Sequence, residues 1–193
     1  MRATPLAPAE RRAAIIAATE PLLERHGRTV STRQIAEAAG VAEGTIFRVF
    51  ESKEALLDAV VGDVFDMAAV ARDLEAVDLA APLPVRLEAA VGLLQARLRR
   101  IFRLFHALDL PRHRPADHAA ARRQRDEALH AALVRLLEPD AERLRVPVDV
   151  AAALVRAITS AGGHPVLGDG RISTPRQVAD LALHGVLGPG PAC

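Results

Sequence analysis

Seven side chains in one short stretch have types and spacing suited to gripping and reading a polyanion: Thr32, Arg33, Ala42, Glu43, Gly44, Thr45 and Arg48. Ala42 and Gly44 are small enough to let a backbone come close to base edges. Thr45 offers a hydroxyl and a methyl, which can meet a phosphate or the methyl of thymine. Arg48 suits a phosphate or the paired acceptors of guanine. Glu43 either accepts from a cytosine amino group or points to solvent, because nearby phosphates repel a carboxylate. Thr32 and Arg33 open a predicted helix, whose N-terminal N–H groups favour an anion.

Such roles need two short helices held at a fixed angle, and the same stretch encodes them. Ser31 with Gln34 three residues later is the reciprocal cap that starts a helix. Ile35, Ala36 and Ala39 give it an apolar face, and Gly40 supplies the left-handed residue that ends it. A second helix is expected from about Ala42 to Phe50, with Ile46, Phe47 and Phe50 on its buried side. Two short helices joined by a glycine-containing turn make a helix-turn-helix, whose second member enters the major groove of DNA.

The ordered run AxxxGVxxGTIFRVFxSKExLLxAV resembles the DNA-binding segment of the TetR family of bacterial transcriptional regulators, closely from Ala36 to Val60. Upstream, IIAATEPLLERHG (Ile15 to Gly27) is similar to that family's first helix. The resemblance implies an all-α fold: a three-helix DNA-binding domain over residues 1–52, then a helical effector-binding and dimerisation domain over 53–193. It also implies a ligand-responsive repressor that is released from its operator by a small molecule. Lys53, the only lysine in the chain, becomes a phosphate contact; otherwise it is an exposed charge beside Glu51 and Glu54. Phe47 joins the DNA-facing set where the family usually has Tyr, and Val49 replaces an aromatic or His. Glu43 stands where Lys is frequent. Losing two phosphate-directed groups lowers affinity rather than base preference. These departures motivate a second reading, a helical ligand-binding or interaction module that has lost DNA binding.

Composition agrees with a helical protein. Of 193 residues half are apolar, while Phe occurs five times and Trp and Tyr not at all, so the core must be Leu, Val, Ile and Ala. A net charge of +1 neither demands nor excludes nucleic acid, since binding needs a local basic surface. The one cysteine, Cys193, excludes an internal disulfide framework and fits a reducing cytoplasm. No signal-like or membrane-spanning run is evident. A cytoplasmic protein without cofactor or membrane partner is expected.

Helices are predicted along the whole chain. The first covers about Ala9 to His26, kinked at Pro21 and ended by Gly27, after a loose arm (Met1 to Pro8) in which Arg2 is a possible phosphate contact. Ser52 should cap a longer helix extending past Arg72, with Leu56, Leu57, Val60, Val61, Val64, Phe65 and Ala68 as its stripe. After a break at Ala80 to Pro84, a helix from about Val85 to Leu108 carries the seam Leu87, Val91, Leu94, Leu98, Ile101, Phe105 and Leu108. Further helices are expected at about Ala116 to Leu137, Asp149 to Ala161 and Thr174 to Leu187, with a loop over Glu138 to Val148.

One short reading helix covers too few base pairs alone, so a two-fold homodimer on a palindromic duplex is expected. The last two helices, through Leu154, Val155, Ile158, Ala161, Val178, Leu181, Ala182 and Gly185, would form a four-helix interface as the resemblance implies; alternatively they fill a monomer core. An effector pocket is likewise implied, with Leu98, Phe102, Phe105, His106, His130 and Leu133 as lining or simply as core. Between Arg97 and Arg125 nine arginines face only Asp109 and Asp117. This is read as a solvated face, with a second nucleic-acid surface or the mouth of an acidic-ligand pocket as alternatives. His113, Asp117 and His118 are spaced poorly for a metal, and no nucleophile elbow or phosphate loop occurs, so no enzymatic activity is expected.

Overall fold

The computed structural model describes residues 7–109, 119–162 and 174–186. The chain is helical throughout these segments: α1 Pro8–His26, α2 Thr32–Ala38, α3 Glu43–Val49, α4 Lys53–Val64, α5 Met67–Glu75, α6 Leu83–Leu108, α7 Ala119–Leu137, α8 Val148–Gly162 and α9 Pro175–Val186. Short 3-10 turns follow α1 (Gly27–Thr29) and α7 (Glu138–Arg143). By compactness it divides into two units, residues 1–65 with 103–114, and residues 66–102 with 115–193.

In the first unit α1 packs on α2, α3 and α4. Pro8 occupies the first turn of α1, where its missing N–H costs nothing, and the helix continues through Pro21. Ile15, Leu23, Ile35, Ile46, Leu56, Val60 and Val64 are fully buried, each such side chain contributing about 1.5–3 kcal/mol. Gly27 ends α1 at φ 55°, with its N–H on the Leu23 carbonyl. The end of α6 belongs to this unit: Arg103 Nε donates to Glu24 Oε1 at 2.8 Å, and Arg28 Nε reaches the Leu108 carbonyl at 3.5 Å.

The helix that Ser52 caps is shorter than expected. Ser52 Oγ accepts from Ala55 N at 3.0 Å, but α4 ends at Val64 instead of passing Arg72. Asp66 is the reason: its carboxylate accepts from Ala68 N at 3.0 Å and so caps a new helix, α5. Arg97 also donates to the Asp66 carbonyl. Phe65, at the end of α4, stands edge-on to Phe105, ring centroids 5.3 Å apart.

In the second unit α7 packs against α5 and α8, and α8 against α9. Leu87, Val91, Leu133, Leu136, Leu137, Ala151, Val155 and Val178 form its core. The α6 seam is buried at Leu87, Val91, Leu94 and Leu108 and half-buried at Leu98, Ile101 and Phe105; Leu104, outside the expected seam, is fully buried. Two arginines of α6 are buried as well. Arg86 donates from Nη1 to the Leu136 carbonyl at 2.7 Å and from Nη2 to the Asp140 carboxylate. Arg97 is 5% exposed, which removes it from the solvated arginine face.

Candidate nucleic-acid interface

The helix-turn-helix forms as its caps dictate. Ser31 and Gln34 bond reciprocally, with Ser31 N to Gln34 Oε1 at 2.8 Å and Gln34 N to Ser31 Oγ at 3.2 Å. Gly40 sits at φ 65°, the left-handed residue that turns the chain out of α2. Val41 N then bonds back to the Ala36 carbonyl at 3.0 Å, closing the turn. α3 is anchored from below by Ile46, fully buried, and by Phe50 at its end, 5% exposed.

Its outer face is open. Ala42, Glu43, Gly44, Phe47 and Arg48 are exposed and Thr45 is half-buried. Phe47 corrects the sequence reading: it was placed on the buried side with Ile46 and Phe50, yet it is 51% exposed. Ile46 and Phe50, four residues apart, already fill the inner face, and Phe47 lies about 100° round the helix from Ile46. A Cβ added at Gly44 would meet nothing within 4 Å, so the fold itself does not require glycine there.

Thr32 and Glu43 are joined. Thr32 Oγ1 donates to Glu43 Oε1 at 2.5 Å, linking the start of α2 to the start of α3. The carboxylate is exposed to solvent and bonded to Thr32 as well. It lies against Thr32, one of the residues expected to grip a phosphate. Removing its charge by Glu43→Gln is expected to tighten binding to every duplex about fivefold, in line with about 1 kcal/mol for one like-charge pair in water. Titration of unrelated duplexes checks this; equal affinity for both proteins would rule it out.

Lys53 is also engaged. Its Nζ donates to the Arg28 carbonyl at 2.8 Å, tying the first residue of α4 to the turn after α1. Arg33 and Arg48 are exposed.

The expected effector residues fall in both compact units. Phe105 and His106 belong to the first compact unit, Leu98, Phe102, His130 and Leu133 to the second. His106 is exposed, Leu133 is fully buried in the core, and His130 Nε2 pairs with Asp149 Oδ1 at 2.7 Å. In the expected dimer face, Val155, Val178 and Ala182 are 0% exposed within the chain itself, which leaves them nothing for a partner to cover. Leu154 and Ile158 are half-buried, and Ala161 and Leu181 are exposed. With Val150, which periodicity reasoning passed over, the α8 members form a stripe at steps of four, four and three. The exposure of Gly185 and the segment with Arg112, His113, Arg114, Asp117 and His118 lie outside the described residues, as do Arg2 and the side chains of Arg122, Arg123 and Arg125. Among the described residues no helix is long and apolar enough to cross a membrane.

A short helix propped outward on a capped partner, with a third helix behind both, defines a helix-turn-helix. Residues 15–60 match the family model described as bacterial regulatory proteins, tetR family, so this N-terminal segment is similar to the DNA-binding part of that family. Solved structures share the fold over nearly the whole chain. A TetR-family transcription regulator from Marinobacter aquaeolei VT8 is 20% identical, covering 93% of this chain and 96% of its own, with a TM-score of 0.53. The ketosteroid transcriptional regulator of Mycobacterium tuberculosis is 21% identical over 93% and 96%, TM-score 0.54. The superantigen PfiT is 19% identical over 94% and 98%, TM-score 0.59, so the shared fold alone does not specify DNA regulation. No curated protein matches.

Proposed function

We propose that this regulator is a ligand-responsive repressor that binds a palindromic operator as a homodimer and leaves it when a small-molecule effector binds. The observation that carries the reading is the open face of α3, where Ala42, Gly44, Phe47 and Arg48 stand in solvent while Ile46 and Phe50 hold the helix from beneath. Residues 1–52 act as the reading head and 53–193 as the effector-binding and dimerisation part. The stripe Val150, Leu154, Ile158 and Ala161 on α8, with Leu181 on α9, supports the two-fold partner: an apolar strip of this kind gains by being covered.

Selection of genomic fragments retained by the protein tests the reading, and the neighbouring genes then indicate the effector. On the selected operator Lys53→Ala is expected to weaken binding to all sequences about equally, whereas Thr45→Ala changes the preference among operator variants. A gel-shift series with the opposite pattern would reverse these two roles. One observation favours the second reading, a helical interaction module without DNA binding: the Thr32 hydroxyl is spent on the Glu43 carboxylate. Absence of site-specific retention even at low salt would decide for that module.

A further inference from the structure

Beside the recognition helix the head carries a groove of about 680 Å³ lined by Pro8, Ala9, Arg11, Arg12, Val41, Ala42, Thr45, Arg48 and Val49. Three arginines line it, and no acidic residue does so among the described residues. Arg12 comes from α1 and Arg48 from α3, so the positive charges converge from two helices rather than lying along one solvated edge. Arg12 is held in place: its Cζ stands 5.1 Å from the centroid of the Phe50 ring, the residue that ends α3. A guanidinium held over an aromatic face is attracted by the ring and remains a planar multiple donor, which suits a phosphate.

We propose that this groove seats one backbone phosphate of the duplex read by α3, with Arg12 and Arg48 as its ligands and Phe50 as the positioning residue for Arg12. The proposal rests on the DNA-binding reading and deepens it. Ala42 and Thr45 line the same groove, so a phosphate seated there adjoins the bases those residues meet. A free phosphate-bearing anion offers the same chemistry; the shared lining with the reading face favours the duplex as its source. One consequence concerns register. A phosphate clamp that includes the end of α3 fixes the angle at which that helix lies in the groove, without itself reading sequence.

The test measures affinity of the full chain for its selected operator between 50 and 200 mM KCl. Arg12→Ala is expected to weaken binding about tenfold for specific and unrelated duplexes alike, and to lower the slope of log K against log salt by about one. Arg12→Lys keeps the charge but not the stacked plane, so it should retain the slope while losing about threefold in affinity. Replacing operator phosphates singly by neutral methylphosphonates should reveal one position that weakens the wild-type protein but not Arg12→Ala. Circular dichroism confirms that the variants are folded. Wild-type affinity and slope in Arg12→Ala, with Thr45→Ala still altering site preference, would overturn the phosphate seat and leave DNA reading intact. If the wild type itself retains no duplex, both fall together. If inorganic phosphate raises the melting temperature of the wild type but not of Arg12→Ala, and Arg12→Ala binds the operator normally, the groove serves a free anion and the duplex assignment is overturned.

Discussion

Gly27→Ala is expected to lower the stability of the head by about 3 kcal/mol, one of the two largest effects anticipated for a single substitution in this protein. Two causes add. The backbone at Gly27 has φ 55° and ψ −144°, a region nearly closed to residues with a Cβ, and strain of this kind costs about 1–3 kcal/mol. A Cβ there would also stand 2.7 Å from the carbonyl oxygen of Ala107, a backbone atom that cannot swing aside. Gly40→Ala provides the contrast. Its φ of 65° is also left-handed, but nothing lies within 4 Å of an added Cβ, so about 1 kcal/mol is expected. Urea unfolding of both variants measures the difference. Equal losses would show that the Ala107 contact contributes nothing.

The second large effect lies in the other unit. Arg86 is 2% exposed, and its guanidinium is compensated by the Asp140 carboxylate and the Leu136 carbonyl, while Nε has no partner among the described residues. Removing Asp140 leaves a buried cation with one neutral acceptor, and breaking such a pair costs about 3–5 kcal/mol. Asp140→Ala is therefore expected to lose about 4 kcal/mol, moderated by the 12% of the Asp140 side chain that water reaches. Arg143 also bonds Asp140, but its own side chain is 62% exposed and can return to solvent. The double variant Arg86→Met with Asp140→Leu removes both charges and should recover most of the loss, because two apolar side chains leave nothing to desolvate. A double variant no better than Asp140→Ala, followed by chemical denaturation, would mean that the shape of the site matters more than its charge.

The reading head was legible in the sequence because its signals are local. Ser31 and Gln34, Gly40, Ser52 and Gly27 act on neighbours within four residues, and the structure has each at the helix end expected of it. Ile46 and Phe50 as the inner face of α3 followed from spacing alone, whereas Phe47 did not, since a small helix has room inside for only one such row. The break between α4 and α5 was missed because Val64, Phe65 and Ala68 keep the apolar register going. Only Asp66, ordinary on a solvated helix face, carried the signal, and its capping bond and the Arg97 contact to its carbonyl decided the matter. Arg86, Gln95 and Arg97 were illegible for a related reason: long-range partners such as Asp140, fifty-four residues from Arg86, leave no mark in local periodicity. The same limit applied to Thr32 and Glu43, eleven residues apart in sequence and bonded across the turn.

The tie from Lys53 Nζ to the Arg28 carbonyl has a practical side. Because the sequence contains a single lysine, it is the chain's only side-chain amine, and amine-selective acylating reagents find one lysine to modify. Acetylation there removes both the charge and the staple in one covalent event. A single lysine at the start of α4 makes its occupancy assignable by peptide mass, free of the ambiguity that a lysine-rich surface would bring.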